Sequence, residues 1–206
     1  MIVYVIIFAV MIMTVLDKDI PFVKVLMVMS RKTIQKEIEL NSKFHYVEYS
    51  DSLKEDWCKL QCEVNLFNSM EDAQKKWDQM MQRDKDFFSK NFLFVKDEKE
   101  QLVASVGLWY GKDFEENRLR IHYVAVSESA QHNKIAQSML TRLCMMYDKI
   151  PGKYPLYLAT QSQSYGAIKL YSRLGFTPYL GAYKGCSEQK NMQAWTTVTK
   201  LLADKS

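Results

Sequence analysis

Residues 119–140 read LRIHYVAVSESAQHNKIAQSML, and the fold turns on how this stretch is divided. The first part, LRIHYVAV, is rich in β-branched residues and reads as a strand. From Ile135 onward apolar residues recur at helical spacing, so a helix is predicted over about 135–147. Between them lies a polar loop, SESAQHNK, that contains no glycine. A strand that runs through a loop into a helix start is a common place to hold an anion, because the first amides of a helix have no partner within it. Whether this loop can do so without glycine is the question the sequence poses.

Upstream, residues 92–95 (FLFV) and 102–110 (LVASVGLWY) read as two more strands, separated by the polar turns KDEKEQ and GKDFEENR. Connections this short make an antiparallel meander. Downstream the pattern changes to a strand at 155–160 (PLYLAT), a helix at 164–174 and a strand near 176–180. A strand, helix, strand order with long connections implies a right-handed crossover between parallel strands. The predicted class is therefore α/β (α+β), with a mixed central sheet flanked by helices, antiparallel in its first half and parallel at the strand ending in VAV. Residues 194–202 (AWTTVTKLL), with their β-branched run, predict one further strand.

The N-terminal part predicts a strand over 22–29 (FVKVLMVM), a helical stretch over 30–40, and a short strand over 45–49. Helices follow over about 51–65 and 70–83, with Leu53, Trp57, Leu60, Val64, Ala73, Trp77 and Met80 facing inward. Residues 1–16 (MIVYVIIFAVMIMTVL) carry no charge and stop at Asp17. That is shorter than the ~20 residues a membrane-spanning helix needs, and there is no basic leader or cleavage site. A buried or dimer-forming strand, or an upstream start, is favoured over membrane anchoring. The expected organisation is an N-terminal extension over 1–43 and one domain over 44–206, as monomer or homodimer.

Composition narrows the class further. With 48% hydrophobic and 25% charged residues, seven glycines and four prolines, the chain excludes disordered, collagen-like and disulfide-scaffold proteins. The net charge of +4 comes from basic residues scattered among acidic ones, which argues against a nucleic-acid partner. Cys58, Cys62, Cys144 and Cys186 match no zinc spacing, so no metal is expected and a reducing, cytoplasmic compartment fits them.

Two motifs together resemble the GNAT superfamily of N-acetyltransferases. The strand YVAV is followed by Gln131 and QHNKIA, where the superfamily has a Q/R-x-x-G-x-G/A pyrophosphate loop. Residues 164–176, SYGAIKLYSRLGF, resemble its N-x-x-A-x-x-L-Y-x-x-x-G-F pattern, with Ser164 in the place of Asn and with Tyr171, Gly175 and Phe176 in register. The resemblance covers about residues 44–202 and makes the parallel part of the sheet a coenzyme cleft. It implies an acetyl-CoA-dependent transfer to a primary amine, of a small molecule or a peptide; the rival reading is a catalytically silent domain of the same fold. By resemblance, Val124, Ala125 and Val126 would serve the pantetheine arm and thioester, Gln131, His132, Asn133, Lys134, Ile135 and Ala136 the pyrophosphate, Ser164 would also bind the coenzyme, and Tyr171 would sit beside the sulfur.

Acyl transfer from a thioester needs a base for the amine and an acid for the departing thiolate. Tyr171 would be the acid by resemblance. His122, on the strand before VAV, has the intrinsic pKa for the base, with Glu128, Glu48 or a water chain as alternatives. His132, Asn133 and Lys134 stand where the superfamily commonly has glycine, a basic residue and glycine, and Asn tolerates positive φ best after glycine. Trp109, Tyr110, the GKDFEEN loop and residues 179–183 are expected to read the acceptor.

Overall fold

LVASVGLWY contains no charged residue, so the strand it forms has to lie inside a sheet, and β4 (Leu102–Tyr110) is buried from Leu102 to Trp109. The computed structural model of the chain describes residues 16–205. Around β4 the meander forms as its polar turns require: β3 (Phe92–Asp97) and β5 (Leu119–Val126) flank it, both antiparallel. With β1 (Lys24–Met29), β2 (Phe44–Val47), β6 (Leu156–Gln161) and β7 (Thr177–Pro178), the seven-stranded sheet has the order β2-β3-β4-β5-β6-β1-β7. β5 and β6 are parallel, and β1 is antiparallel to both β6 and β7.

Helices cover both faces. Helices α1 (Leu53–Glu63) and α2 (Met70–Asn91) bury Trp57, Trp77 and Phe88 against Phe92, Phe94 and Trp109 of the sheet. Most of the rings meet edge-on or tilted, for example Trp77 on Phe88 at 4.9 Å between centroids, an arrangement that aromatic quadrupoles favour, while Phe92 stacks on Phe88 and Phe94. On the other face α3 (Ile135–Lys149) buries Met139, Leu140 and Leu143 in a cluster with Val106, Leu108 and Ile121. Helices α4 (Tyr165–Arg173) and α5 (Glu188–Asp204) add Ile168, Leu170, Trp195 and Val198 to this aliphatic core.

Three sequence-based expectations fail for identifiable reasons. Residues 194–202 form part of α5, not a strand. Asn191, Trp195 and Val198 are buried at a spacing of three to four, and Ser187 caps the helix start by accepting from the Lys190 amide. The hydroxyls of Thr196 and Thr197 donate to carbonyls one turn back, which lets these residues sit in a helix. Residues 30–40 form no helix: Lys32 takes φ 61°, and the segment is tied to α3 by the Ile38 amide donating to Thr141 and the Lys32 amide donating to Asp148. Finally, α2 continues past Arg83. It breaks at Asp84 (φ −166°), whose carboxylate then caps the next turn by accepting from the Phe87 amide.

The strand expected near 22–29 forms over Lys24–Met29 and lies between β6 and β7, so a boundary at residue 43 divides the sheet. The apolar segment 1–16, apart from Leu16, lies outside the described residues. Among the described residues no helix is long and apolar enough to cross a membrane. Val25, Leu26 and Met27 are wholly buried. At about 1.5–3 kcal/mol each, their loss rivals a whole domain's stability of roughly 5–15 kcal/mol. A chain truncated to begin at residue 44 should therefore yield no cooperative thermal transition by circular dichroism, where the full chain gives one.

Candidate active site

β5 and β6 pair only at Arg120 with Tyr157 and Ile121 with Leu158, after which the strands part. On its other side β5 carries a bulge against β4: Ser105 faces Ala125, Gly107 faces His122, and Tyr123 takes φ 53°. A bulge leaves a residue out of the ladder and bends its strand. Together the bulge and the parting open a cavity of about 600 Å³ between the strands. Past Ile121, the β6-facing backbone groups of β5 have no ladder partner among the described residues.

The cavity brings most of the sequence-predicted residues together. His122, Val124, Val126, Gln131, His132, Lys134, Ile135, Ala136, Ser164 and Tyr171 all line it. Ala125 does not: its side chain is buried on the opposite face, in the aromatic cluster, as strand alternation requires. Asn133 does not line it either. Its side-chain amide donates to the carbonyls of Ala130 and Gln131 at 3.1 and 3.0 Å, bracing the loop from behind. Glu48 and Glu128 lie outside the lining, and Trp109 is a core residue rather than an acceptor contact.

The glycine question has a conformational answer. His132 takes φ 66° and Lys134 φ 59°, the left-handed region that glycine enters freely. Asn133, the residue best suited to that region after glycine, is not where positive φ falls. The loop thus keeps the backbone that two glycines would give, at a cost of roughly 1–2 kcal/mol per residue. Lys134 is the N-cap of α3, and the amides of Ile135, Ala136 and Gln137 that follow it have no intrahelical acceptor. These residues line the cavity, so the positive end of the α3 dipole is directed at it.

Tyr171 is buried in α4, with its ring edge-on to Phe176 at 6.1 Å. Its hydroxyl has no hydrogen-bond partner among the described residues, and burial pushes its pKa up, so the phenol keeps its proton. His122 is held the other way. Burial lowers its pKa well below 6.5, and Arg120 and Lys76 lower it further. Arg120 donates from Nε to His122 Nε2 at 2.6 Å, which fits a neutral imidazole. Sequence reading missed Arg120 itself, although the alternation of LRIHYVAV puts it on the His122 face. It also missed the parted half of β6, Ala159 to Gln161, which forms the opposite wall.

Two outcomes follow from these conformations and charges. Lys134→Gly relieves a left-handed side chain but frees the unfolded chain, so the unfolding free energy should hold or rise, by up to about 1 kcal/mol, and the melting temperature with it. Lys134→Val, β-branched at positive φ, should lower it. For His122, the unfolded chain binds a proton near pH 6.5 that the native protein refuses. Its contribution to stability is complete above that pH and declines as pH falls toward the lower folded pKa. The unfolding free energy, and with it the melting temperature, should therefore drop more steeply between about pH 7.5 and 5.5 in the native chain than in His122→Gln, the free-energy difference being on the order of 1 kcal/mol.

Comparisons with known proteins agree with this architecture. The chain matches no curated protein sequence. Similar solved structures include a GCN5-related N-acetyltransferase from Sphaerobacter thermophilus, at 17% identity and TM-score 0.58, covering 77% of this chain and 49% of that one. A GNAT-family acetyltransferase from Colwellia psychrerythraea gives 14% identity and TM-score 0.55, covering 77% and 54%. A putative GNAT acetyltransferase from Novosphingobium aromaticivorans gives 14% and 0.52, covering 78% and 62%. The chain spans about half the length of the first two, and at such identities the likeness shows the fold. A family model described as Acetyltransferase (GNAT) family matches residues 48–176, more than half of the chain. This chain belongs to the acetyltransferase (GNAT) family.

Proposed function

We propose that the chain is an acetyl-CoA-dependent N-acetyltransferase that acts on a primary amine. The observation that carries this reading is the left-handed pair His132 and Lys134 at the start of α3, beside the cavity where β5 and β6 part. Decay of a pyrophosphate loop would release the strain of two L-residues at positive φ, whereas here it is kept. The site also fits the coenzyme by the kinds of group it offers. Unpartnered helix amides and an exposed Lys134 suit a pyrophosphate, and an unpaired strand edge suits the amides of a pantetheine arm.

When bound, the coenzyme supplies an acetyl thioester as the acyl source. The chain's residues do the rest. The loop residues Gln131 to Ala136 hold the anionic end, and the free edge of β5 over Val124 to Val126 orients the acyl carbonyl and stabilises charge on its oxygen. Tyr171 keeps a proton at its hydroxyl for the departing sulfur. Its raised pKa alone would make it a weak donor to a thiolate near ~8.5. The same burial raises the pKa of a thiol held beside it, which narrows the gap. His122 stays neutral over a wide pH range, the form a proton acceptor requires, and we assign it the amine's proton, taken at Nε2 once Arg120 Nε releases that nitrogen. Four free cysteines suit a reducing, cytoplasmic setting.

Calorimetric titration with acetyl-CoA tests the reading together with a thioester-consumption screen against amines, amino acids and peptides. Saturable binding and acceptor-dependent consumption are expected; no saturable heat would instead support a silent domain. Tyr171→Phe removes only a hydroxyl without partners among the described residues, so the protein should stay folded and bind coenzyme normally. Its turnover should fall by ~10² to 10⁴, and by less with acyl donors whose thiol is more acidic. Unchanged turnover would return Tyr171 to the core.

A further inference from the structure

The far end of the cavity carries charge that coenzyme binding does not use. Arg120 lies six residues before Val126 on β5, roughly 20 Å along the strand from where the coenzyme loop begins. It lines the cavity beside His122. Asp113, 5% exposed, sits between two cations: Lys24 Nζ is 2.6 Å from Oδ1, and Arg120 Nη1 is 2.6 Å from Oδ2. One carboxylate between two cations leaves positive charge in excess. Arg120 has five donors, and Asp113 and His122 use only part of this fork.

More cations lie in an adjoining groove. A groove of about 350 Å³, lined by Lys75, Lys76, Gln79 and one acid, Asp72, shares Leu66 with the cavity. Lys76 donates to Gln79 at 3.4 Å, and neither it nor Lys112 has an ion pair among the described residues. Burial lowers the Lys76 pKa, and the charges of Lys112, Arg120 and Arg83 lower it further. The nearby acids are engaged or outward. Asp72 accepts from Ser69, Asp84 accepts from Tyr110 and from the Phe87 amide, and Glu115 and Glu116 are exposed. A positive, partly desolvated pocket with unspent donors is stabilised by an anion from the ligand.

We propose that this end of the cavity receives an acceptor that carries a carboxylate beside its amine, with the acid group against Arg120 and Lys76 and the amine facing His122. The inference deepens the acetyltransferase reading and rests on it for the fate of the amine. The carboxylate site itself is a statement about binding.

Saturation-transfer NMR with L-amino acids and their carboxamides, each pair differing only in the charged group, tests it on the full chain with and without acetyl-CoA. The acids should bind at least ~10-fold more tightly than the amides. Lys76→Glu, at a partly exposed position without an ion pair, should leave the melting temperature nearly unchanged and weaken the acids by ~5- to 10-fold, with little effect on the amides. Equal binding of both series, binding of neither, or no effect of Lys76→Glu would overturn the proposal. Acid-selective binding without thioester consumption would keep the carboxylate site and overturn the acetyltransferase reading. Consumption that runs equally well with amides would do the reverse.

Discussion

Beyond Ile121 the strands β5 and β6 stop pairing, and the described site is arranged around the gap they leave. A parallel pair inside a covered sheet normally continues to the strand ends, because an unpaired buried N–H or C=O costs about 1–3 kcal/mol. Here the bulge at Tyr123 turns β5 away and leaves its edge exposed to the cavity. That cost is recovered when a ligand supplies the missing hydrogen bonds. The aromatic cluster behind β5 opposes relaxation of the bulge: Tyr123 packs edge-on against Trp57 at 5.4 Å and stacks on Phe67 at 6.0 Å. Packing on one face of the sheet thereby sustains the opening on the other.

The loop after β5 carries a second strain of the same kind. His132 and Lys134 hold left-handed conformations that their side chains disfavour, and Asn133 braces the turn through two carbonyls. Such strain persists only where the surroundings over-determine it, and it clusters at sites that bind or react. The loop also begins where β5 ends and leads straight into α3, so its backbone is fixed at both ends by buried elements.

Much of this was legible in the sequence, because the meander and the crossover depend on local patterning. Ser164 and Tyr171, singled out from the SYGAIKLYSRLGF segment on a motif alone, both line the cavity. What escaped reading depends on partners distant in sequence. β1 is interior because β6 and β7 close on either side of it, more than a hundred residues later. The run AWTTVTKLL is helical because Trp195 and Val198 find a core, and tertiary burial outweighs the β-preference of Thr and Val. Arg120 and Asp113 were hidden as ordinary surface charges, since nothing in GKDFEENR shows that Asp113 folds inward onto Lys24 and Arg120.

The central claim is that a loop without glycine still presents its backbone to an anionic coenzyme. Backbone amide NMR during titration with coenzyme A tests this directly, since it reports each N–H separately. The account predicts saturable shifts concentrated at residues 124–126 and 132–137, with the amides of edge strand β2 and of α5 unmoved. Saturable shifts confined to other surfaces, or none at any coenzyme concentration up to the millimolar range, would contradict it.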